Sequence, residues 1–411
     1  MSFDRRRFLS ALGALSAAGL VAPRAKAQRT RREQPAVPRG LAAPDDFQFE
    51  PGLTYLQTGS LGPTPRPVMD RTIAIWKELE LNPAAKGYGP LETAMDDVRA
   101  KAAAFIGCAT DELVLTNCTT EGMNWIAEGL HLSPGDRVLT TDQEHPGGRV
   151  CWDYLVRTRG IELDVVAIPP GENDAKAIVR RFEQAILPRT RVFSFSHLLS
   201  STGLRMPVAE LSALARAHGC ISVVDGAQAV GAIDVNVKQL GCHAYATSGH
   251  KWLLAPKGTG LLYLSAELAA RIDPIALQSG RAAYTAASGV CSIPSVHGLA
   301  AAVEYHTRLG KGAIERHNLE LRAQLLEALK SVPQVRVVSP AAGPLASPLL
   351  TYMLPDRVKA GELHARLREK HHVEVKVVPG QWLNGQRIST HLFNAPRDID
   401  ALVTALTAEL S

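Results

Sequence analysis

Two side chains that could do chemistry together stand near the ends of two apolar runs of the sequence. Asp225 ends the run ISVVD (Ile221–Asp225), and Lys251 comes three residues after the run AYATS (Ala244–Ser248). If both runs are strands of one sheet, an acid and a lysine lie side by side at its edge. Such a pair predicts a reactive site rather than a structural contact.

The pair has the residue types that pyridoxal phosphate (PLP) chemistry requires. A lysine amine forms a Schiff base with an aldehyde, and a carboxylate keeps a pyridine nitrogen protonated, so that the ring becomes an electron sink. Gln228 follows Asp225 closely enough to reach the phenolic oxygen of the ring, and Ser248 and His250 could hold the phosphate. A single aspartate after a strand usually caps a turn, so the prediction depends on the whole set.

The elements around the pair indicate an α/β fold. Residues 191–196, 221–225 and 244–248 are short apolar runs typical of buried strands, and residues 208–218 have the spacing of an amphipathic helix. Strands that alternate with helices predict a parallel sheet, and ligands of such sheets bind beyond the carboxyl ends of the strands. Asp225 and Lys251 both fall at that edge.

The remaining periodicity divides the chain into two domains. In the first part we predict helices over residues 68–81 and 91–106, a helix from about 117 to 130, and strands over 112–116 and 138–141. Long helices over 295–308, 313–329 and 398–410, with strands over 335–338, 349–354 and 373–378, then predict a smaller α+β domain. The expected boundaries are 47–294 for the N-terminal segment and large domain, and 295–411 for the small domain.

At these motifs the chain resembles the class V aminotransferase family of fold-type I PLP enzymes, which includes cysteine desulfurases, selenocysteine lyases and isopenicillin N epimerases. The matching pieces are Asp225-Gly226-Ala227-Gln228, Ser248-Gly249-His250-Lys251 and Gly258-Thr259-Gly260, and a weaker resemblance extends from about Tyr55 to Leu410. The resemblance implies a large domain with a mainly parallel sheet, a smaller C-terminal domain, bound PLP and a homodimer.

The resemblance also assigns roles to residues outside the central stretch. Thr119 and Thr120 match the family's Thr-Thr-Glu element, which implies phosphate binding at a helix start; by themselves they could equally be N-caps. His145, in a Glu-His element, would stack on the cofactor ring. Arg387 would bind the substrate α-carboxylate, since a guanidinium matches a carboxylate with two hydrogen bonds.

Two positions depart from the family pattern. Ser200 stands where desulfurases carry an asparagine near the ring oxygen. Val290 stands where many relatives have a threonine that reaches the phosphate of the neighbouring subunit, and a valine cannot donate that hydrogen bond.

The N-terminus has the pattern of a Tat export signal. Arg5 and Arg6 precede Phe8-Leu9, an apolar run over residues 11–22 and an Ala-x-Ala site that predicts cleavage after Ala27. Residues 28–46, rich in Arg and Pro, predict a flexible linker. We therefore expect export by the Tat translocase to the periplasm.

Charge and cysteine content limit the possible partners. Residues 1–27 carry five basic residues against one acid, so +4 of the formal net charge of +5 lies in the signal, and nothing indicates nucleic-acid binding. The six cysteines lack paired metal-ligand spacing, so we expect no metal site.

These observations predict a PLP-dependent enzyme that breaks the Cα–H bond of an α-amino acid, or of an amino-acid unit of a secreted peptide. Class V aminotransferase chemistry is the leading interpretation. Epimerisation of the isopenicillin N type and β- or γ-elimination remain open, as does an exported binding protein without turnover. Desulfurase chemistry is disfavoured because residues 377–387 contain no cysteine to accept sulfur.

Overall fold

The computed structural model describes residues 40–411. The predicted Tat signal and most of the predicted linker lie outside these residues. Within the described part, no helix combines the length and the apolar character needed to cross a membrane.

Thirteen strands and thirteen helices are described. The strands are β1 (Thr54–Tyr55), β2 (Leu113–Thr116), β3 (Arg137–Thr141), β4 (Glu162–Val166), β5 (Thr190–Ser196), β6 (Ile221–Asp225), β7 (Ala244–Ser248), β8 (Gly260–Leu264), β9 (Arg336–Val337), β10 (Leu349–Met353), β11 (Val373–Glu374), β12 (Lys376–Val377) and β13 (Gly385–Ser389). The helices are α1 (Arg66–Glu80), α2 (Pro83–Gly87), α3 (Pro90–Ile106), α4 (Thr119–Gly129), α5 (Pro146–Arg159), α6 (Ala175–Gln184), α7 (Val208–Ala217), α8 (Val237–Leu240), α9 (Ala266–Ala269), α10 (Ile293–Leu309), α11 (Lys311–Ala328), α12 (Ala360–His371) and α13 (Pro396–Leu410).

The large domain is built on a seven-stranded sheet in the order β2-β8-β7-β6-β5-β3-β4. All neighbouring pairs are parallel except the two that involve β8. The α/β fold with a mainly parallel sheet is therefore confirmed, and the strands predicted at 221–225 and 244–248 have the expected bounds.

Helices cover both faces of this sheet, which explains why its central strands β6 and β7 are buried along their whole length and consist mainly of apolar residues. Adjacent residues of β6 point to opposite sides: Val223 belongs to the core that includes residues of α4 and α5, whereas Val224 belongs to the core that includes residues of α6 and α7. A parallel strand buried on both faces has no polar side. Polar residues are consequently concentrated where the strands end.

The small domain contains a four-stranded antiparallel sheet in the order β12-β13-β10-β9. One face packs against α11, α12 and α13 in a second core that includes Leu350, Tyr352 and Ile388. Leu56, from the segment that carries β1, joins this core, and β1 pairs with β11. The other face of the sheet, which carries Arg387 and Ser389, turns toward the large domain.

The structure differs from the predicted segmentation at two boundaries and in one strand. Residues 40–46 do not behave as a linker: Ala42 is buried and donates its N–H to Leu392 O at 2.9 Å, and Asp46 accepts a hydrogen bond from Tyr305. Helix α10, expected to open the small domain, packs on α1 and α3 instead, so close to α1 that a Cβ on Gly298 would lie 2.2 Å from Thr72 Oγ1. The strand predicted at 373–378 is divided into β11 and β12, which belong to different sheets.

Candidate active site

Asp225 and Lys251 meet at the carboxyl edge of the large sheet, as predicted. Strands β6 and β7 are parallel neighbours, with Asp225 opposite Ala246. The Asp225 side chain is only 5% exposed, and its Oδ1 accepts a hydrogen bond from Ala227 N at 2.9 Å. Burial raises the pKa of Asp225, while the hydrogen bond and Lys251 act in the opposite direction. Its position at this strand end, near Lys251, allows the carboxylate to hold a cation.

Lys251 lies in the turn after β7 in an environment that favours its neutral amine. Burial is the main cause that lowers its pKa from 10.5 to about 8. The cations Arg387 and Lys376 add to this effect, and Asp225 opposes it. A lysine with a pKa near 8 has a usable fraction of nucleophilic amine at neutral pH, which covalent capture of an aldehyde requires.

Glu144 is a buried acid for which the sequence suggested no role. Its two carboxyl oxygens accept hydrogen bonds from Ser196 Oγ at 2.5 Å and from Thr141 Oγ1 at 2.6 Å. Burial, with a further contribution from Asp225, raises the pKa of Glu144 to about 7. Glu144 thus fixes the loop after β3, and its carboxyl group can stay protonated beside Asp225 near neutral pH.

His145 follows in the same loop and is the N-cap of α5. Its Nδ1 accepts a hydrogen bond from Gly147 N at 3.0 Å, which fixes the ring orientation. Burial, followed by the charges of Lys251 and Arg387, lowers the pKa of His145 to about 4. The imidazole is therefore neutral at physiological pH, which suits stacking on an aromatic ring. The sequence predicted this position, and the structure brings it to the edge that holds Asp225.

The start of α4 is the position at which the sequence predicts phosphate binding. Cys118 is the N-cap, so Thr119 and Thr120 are the first helical residues and not caps. Thr119 N donates to Ser248 Oγ at 3.0 Å, and the two hydroxyl oxygens of Thr119 and Ser248 lie 2.8 Å apart. His250 adds a buried Nδ1 that has no hydrogen-bond partner among the described residues. Hydroxyls at a helix N-terminus fit a phosphate, and the unpartnered nitrogen of His250, two residues after Ser248, is a further candidate contact.

Gln228 is held by two protein groups. Its Nε2 donates to Gly59 O and its Oε1 accepts from Trp252 Nε1, each at 2.8 Å. The amide thus ties the end of β6 to the N-terminal segment and to the residue after Lys251. One hydrogen of the amide nitrogen remains for the predicted contact with the ring oxygen.

Arg387 is buried without an acidic partner. It is 4% exposed, its Nη1 donates to Ser200 O at 2.8 Å, and no carboxylate lies within 4 Å among the described residues. Its Nε is buried and unpartnered, as is Ser200 Oγ. Burial lowers the pKa of Arg387 to about 10, which leaves it charged. A buried guanidinium costs free energy unless an anion pairs with it, so this site fits a carboxylate.

Backbone close to Arg387 leaves little spare volume. A Cβ on Gly59 would lie 2.9 Å from both Arg387 Nη2 and Gln228 Oε1. Gly59 therefore lets the N-terminal segment pass directly over the site.

The described residues fit PLP at both ends of the site. An acid stands at the end of β6, and a lysine with a lowered pKa follows β7. The hydroxyls of Thr119 and Ser248 meet at the start of α4, and His250, next to the lysine in sequence, has an unpartnered Nδ1. A model of the aminotransferase class V family matches residues 54–402 of the chain. The chain belongs to the class V aminotransferase family. Because that family is PLP-dependent, this class V enzyme uses pyridoxal phosphate, as predicted.

Individual relatives cover nearly the whole described chain. Isopenicillin N epimerase from Streptomyces clavuligerus is 31% identical over 383 residues, which make up 88% of this chain and 96% of the epimerase. A cysteine desulfurase from Salmonella agona (strain SL483) is 29% identical over 382 residues, covering 86% and 93%. The solved apo structure of a cysteine desulfurase from Thermococcus onnurineus NA1 superposes with a TM-score of 0.74 at 25% identity, covering 87% and 94%. The predicted fold-type I architecture is confirmed by these likenesses.

The two departures from the family pattern have different surroundings in this class V enzyme. The carbonyl of Ser200 accepts a hydrogen bond from Arg387, so the loop after β5 helps to position the side chain that is predicted to bind the carboxylate. Val290 is 66% exposed and lines a surface groove of about 510 Å³ with Trp76 and Tyr88, each 60% exposed.

The described cysteines and acids form no other recognisable centre. All six cysteines are free thiols. Within residues 40–411, no group of three or more His, Cys, Asp and Glu side chains is arranged to hold a metal ion.

Proposed function

We propose that this PLP-dependent enzyme acts on an α-amino acid, or on an amino-acid unit of a secreted peptide, by breaking the Cα–H bond. The observation that carries the proposal is the pairing of Lys251, whose pKa is lowered to about 8, with the buried and acid-free guanidinium of Arg387. One supplies a base and the other a site for the substrate carboxylate. The buried Asp225 completes the set.

Each residue then has a defined task. PLP, when bound, would supply an aldehyde for the substrate amine and a ring that stabilises negative charge at Cα. Asp225 would hold a proton on the ring nitrogen, and the neutral His145 would pack on the ring. Arg387 holds the α-carboxylate and so prevents its loss. Lys251 Nζ would take the proton from Cα.

Aminotransferase chemistry fits these groups better than epimerisation does because it needs only one proton-transferring residue. Epimerisation requires a proton donor on the opposite face, and a His145 with a pKa of about 4 is not an imidazolium at neutral pH. The similarity to isopenicillin N epimerase nevertheless makes epimerisation the second candidate. Elimination, like transamination, needs only the lysine. Desulfurase chemistry remains disfavoured because the segment from β12 to β13 carries no cysteine.

Exchange of the Cα hydrogen tests the proposal. Holoenzyme incubated with a reactive amino acid in deuterated water should introduce deuterium at Cα. A requirement for a 2-oxo acid identifies transamination, inversion at Cα without one identifies epimerisation, and loss of a side-chain substituent identifies elimination. Release of carbon dioxide without exchange would refute Cα–H cleavage. A holoenzyme whose visible absorbance no amino acid changes would favour the non-catalytic binding protein.

We also propose that the Tat translocase exports the enzyme to the periplasm after PLP has been loaded. PLP is made in the cytosol and Tat carries folded cargo, so the twin arginines Arg5 and Arg6 and the cofactor site are consistent with each other. The six cysteines are free thiols in the described part of the chain. Replacing both arginines with lysine should retain the protein in the cytoplasm. Unchanged periplasmic recovery would argue for another route.

A homodimer is proposed for the same enzyme. Its support is the apolar groove lined by Trp76, Tyr88 and Val290, because contiguous exposed apolar surface of this kind usually marks an interface. A second copy of the chain is the proposed occupant, since relatives form their active sites at a subunit boundary. Sedimentation of the holoenzyme should show a dimer, and replacing Trp76 with Glu should weaken it. A monomer with full activity would contradict this assignment.

A further inference from the structure

Lys376 is a second cation on the same face of the small sheet as Arg387. Strands β12 and β13 are antiparallel, and their register places Lys376 directly opposite Arg387. Directly opposite residues of an antiparallel pair project to the same side with their Cβ atoms about 5 Å apart. That side faces the large domain, because the alternate residues Gln386 and Ile388 turn toward α12 and the second core.

Like charges in this arrangement repel each other, and an anion between them or beside them offsets that repulsion. Lys376 is partly buried, and among the described residues no carboxylate lies within 4 Å of its Nζ. The acid nearest in sequence, Glu374, accepts hydrogen bonds from Gln57 at 2.6 Å and His364 at 3.0 Å. The electrostatic repulsion between Lys376 and Arg387 is therefore not offset by a carboxylate among the described residues.

Lys376 lies close enough to the active site for its charge to affect the residues there. Burial and the charge of Arg387 lower its pKa, and its own charge contributes to the lowered pKa values of Lys251 and His145. The phosphate cradle at Thr119 and Ser248 is built from other elements, α4 and β7, and does not include it.

We propose that Lys376 binds a second anionic group of the substrate, so that the enzyme selects α-amino acids whose side chain carries a carboxylate. Arg387 takes the α-carboxylate and Lys376 the distal one. This inference rests on the proposed function and names its substrate class.

The test compares isosteric probes that differ in one charge. Holoenzyme is titrated with L-glutamate and L-glutamine, and with L-aspartate and L-asparagine, and binding is read from the visible absorbance. In at least one pair the acid should bind tenfold or more tightly than the amide, since a hydrogen bond between charged groups changes affinity by roughly 10- to 100-fold. Equal affinities within both pairs would overturn the proposal.

Variants at Lys376 show whether this residue causes the preference. K376Q should weaken binding of the preferred acid by about 10- to 100-fold and leave its amide within about twofold, and K376R should retain the preference. K359Q, at the exposed lysine that is the N-cap of α12, is the matched control and should behave as the wild type. Equal weakening of acid and amide in K376Q would show that Lys376 acts on the α-carboxylate or on the fold, and would refute the assignment.

A ligand that cannot react separates this inference from the proposed reaction. Calorimetric titration of the holoenzyme with glutarate and with glutaramate, its mono-amide, should show tighter binding of glutarate and loss of that difference in K376Q. If this holds but no amino acid changes the absorbance, the second anion site stands and the proposed reaction fails. If amino acids react but glutarate and glutaramate bind alike in both proteins, the reaction stands and the Lys376 assignment fails.

Discussion

Replacing Lys251 with methionine should stabilise the PLP-free protein while it abolishes covalent cofactor binding. Methionine keeps an unbranched side chain of similar length without the charge. In the folded protein the pKa of Lys251 is lowered to about 8, against 10.5 for an ordinary lysine. The difference of about 2.5 pH units corresponds to about 3 kcal/mol by which the folded site, mainly through burial, disfavours the charged amine.

The sign of the pH dependence follows from the direction of this change. Below pH 8 the lysine is charged in both states, and the folded state bears the whole cost. Between pH 8 and 10.5 the unfolded chain binds more protons, so stability rises with pH, and above 10.5 the cost disappears. The advantage of K251M should therefore fall from about 3 kcal/mol at pH 7 to about 1.5 kcal/mol at pH 9.5.

Guanidinium unfolding of both proteins, stripped of PLP and followed by circular dichroism, measures this difference. PLP must be removed because a ligand that binds only the folded wild type would mask the effect. K176M, at an exposed lysine in the first turn of α6, serves as the control and should show no such pH-dependent gain. A K251M protein that is less stable than the wild type at pH 7, or whose advantage does not change with pH, would refute the reasoning.

Three further outcomes are expected. G148A should lower PLP affinity at least tenfold, because its Cβ would lie 2.4 Å from Asp225 Oδ2, whereas G312A, with no atom within 4 Å, should not; equal affinities in absorbance titrations would contradict this. S248A should weaken PLP about tenfold but not pyridoxal, which lacks the phosphate, because the hydroxyl orders Thr119 in the cradle; equal losses for both would place Ser248 elsewhere. The rate at which the PLP-free enzyme captures PLP should rise with pH to a plateau above about 8, since only the neutral lysine attacks; a flat stopped-flow profile would contradict the lowered pKa.

The central strands of the fold could be predicted from the sequence because their burial is evident from their own residues. Strands β6 and β7 are buried on both faces, so they read as short continuous apolar runs that end abruptly at Asp225 and Ser248. Since parallel strands end at one edge, the polar residues after them had to converge. The same logic brought His145 and the start of α4 to this edge.

Other features depend on contacts between segments that are distant in the chain. The sequence VEVKVV alternates apolar and polar residues, which indicates a half-exposed strand and hides the fact that Lys376 faces Arg387. Nothing in DQEHPG indicates that Glu144 is buried, because its partner Ser196 comes from another strand. Residues 40–46 look like a linker until Leu392, near the other end of the chain, is seen to pair with Ala42.

The balance of charge in the site connects its stability with its function. Lys251, Arg387 and Lys376 bring three basic groups together, against the carboxylate of Asp225 and a Glu144 whose pKa is raised to about 7. The described protein does not neutralise this excess of positive charge. Pairing each cation with an acid would have lowered the free energy of burying these side chains. Bound anions stabilise this uncompensated positive charge. The repulsion that destabilises the ligand-free protein therefore favours a ligand with several negative groups. A cofactor phosphate and a dicarboxylic amino acid together have that character.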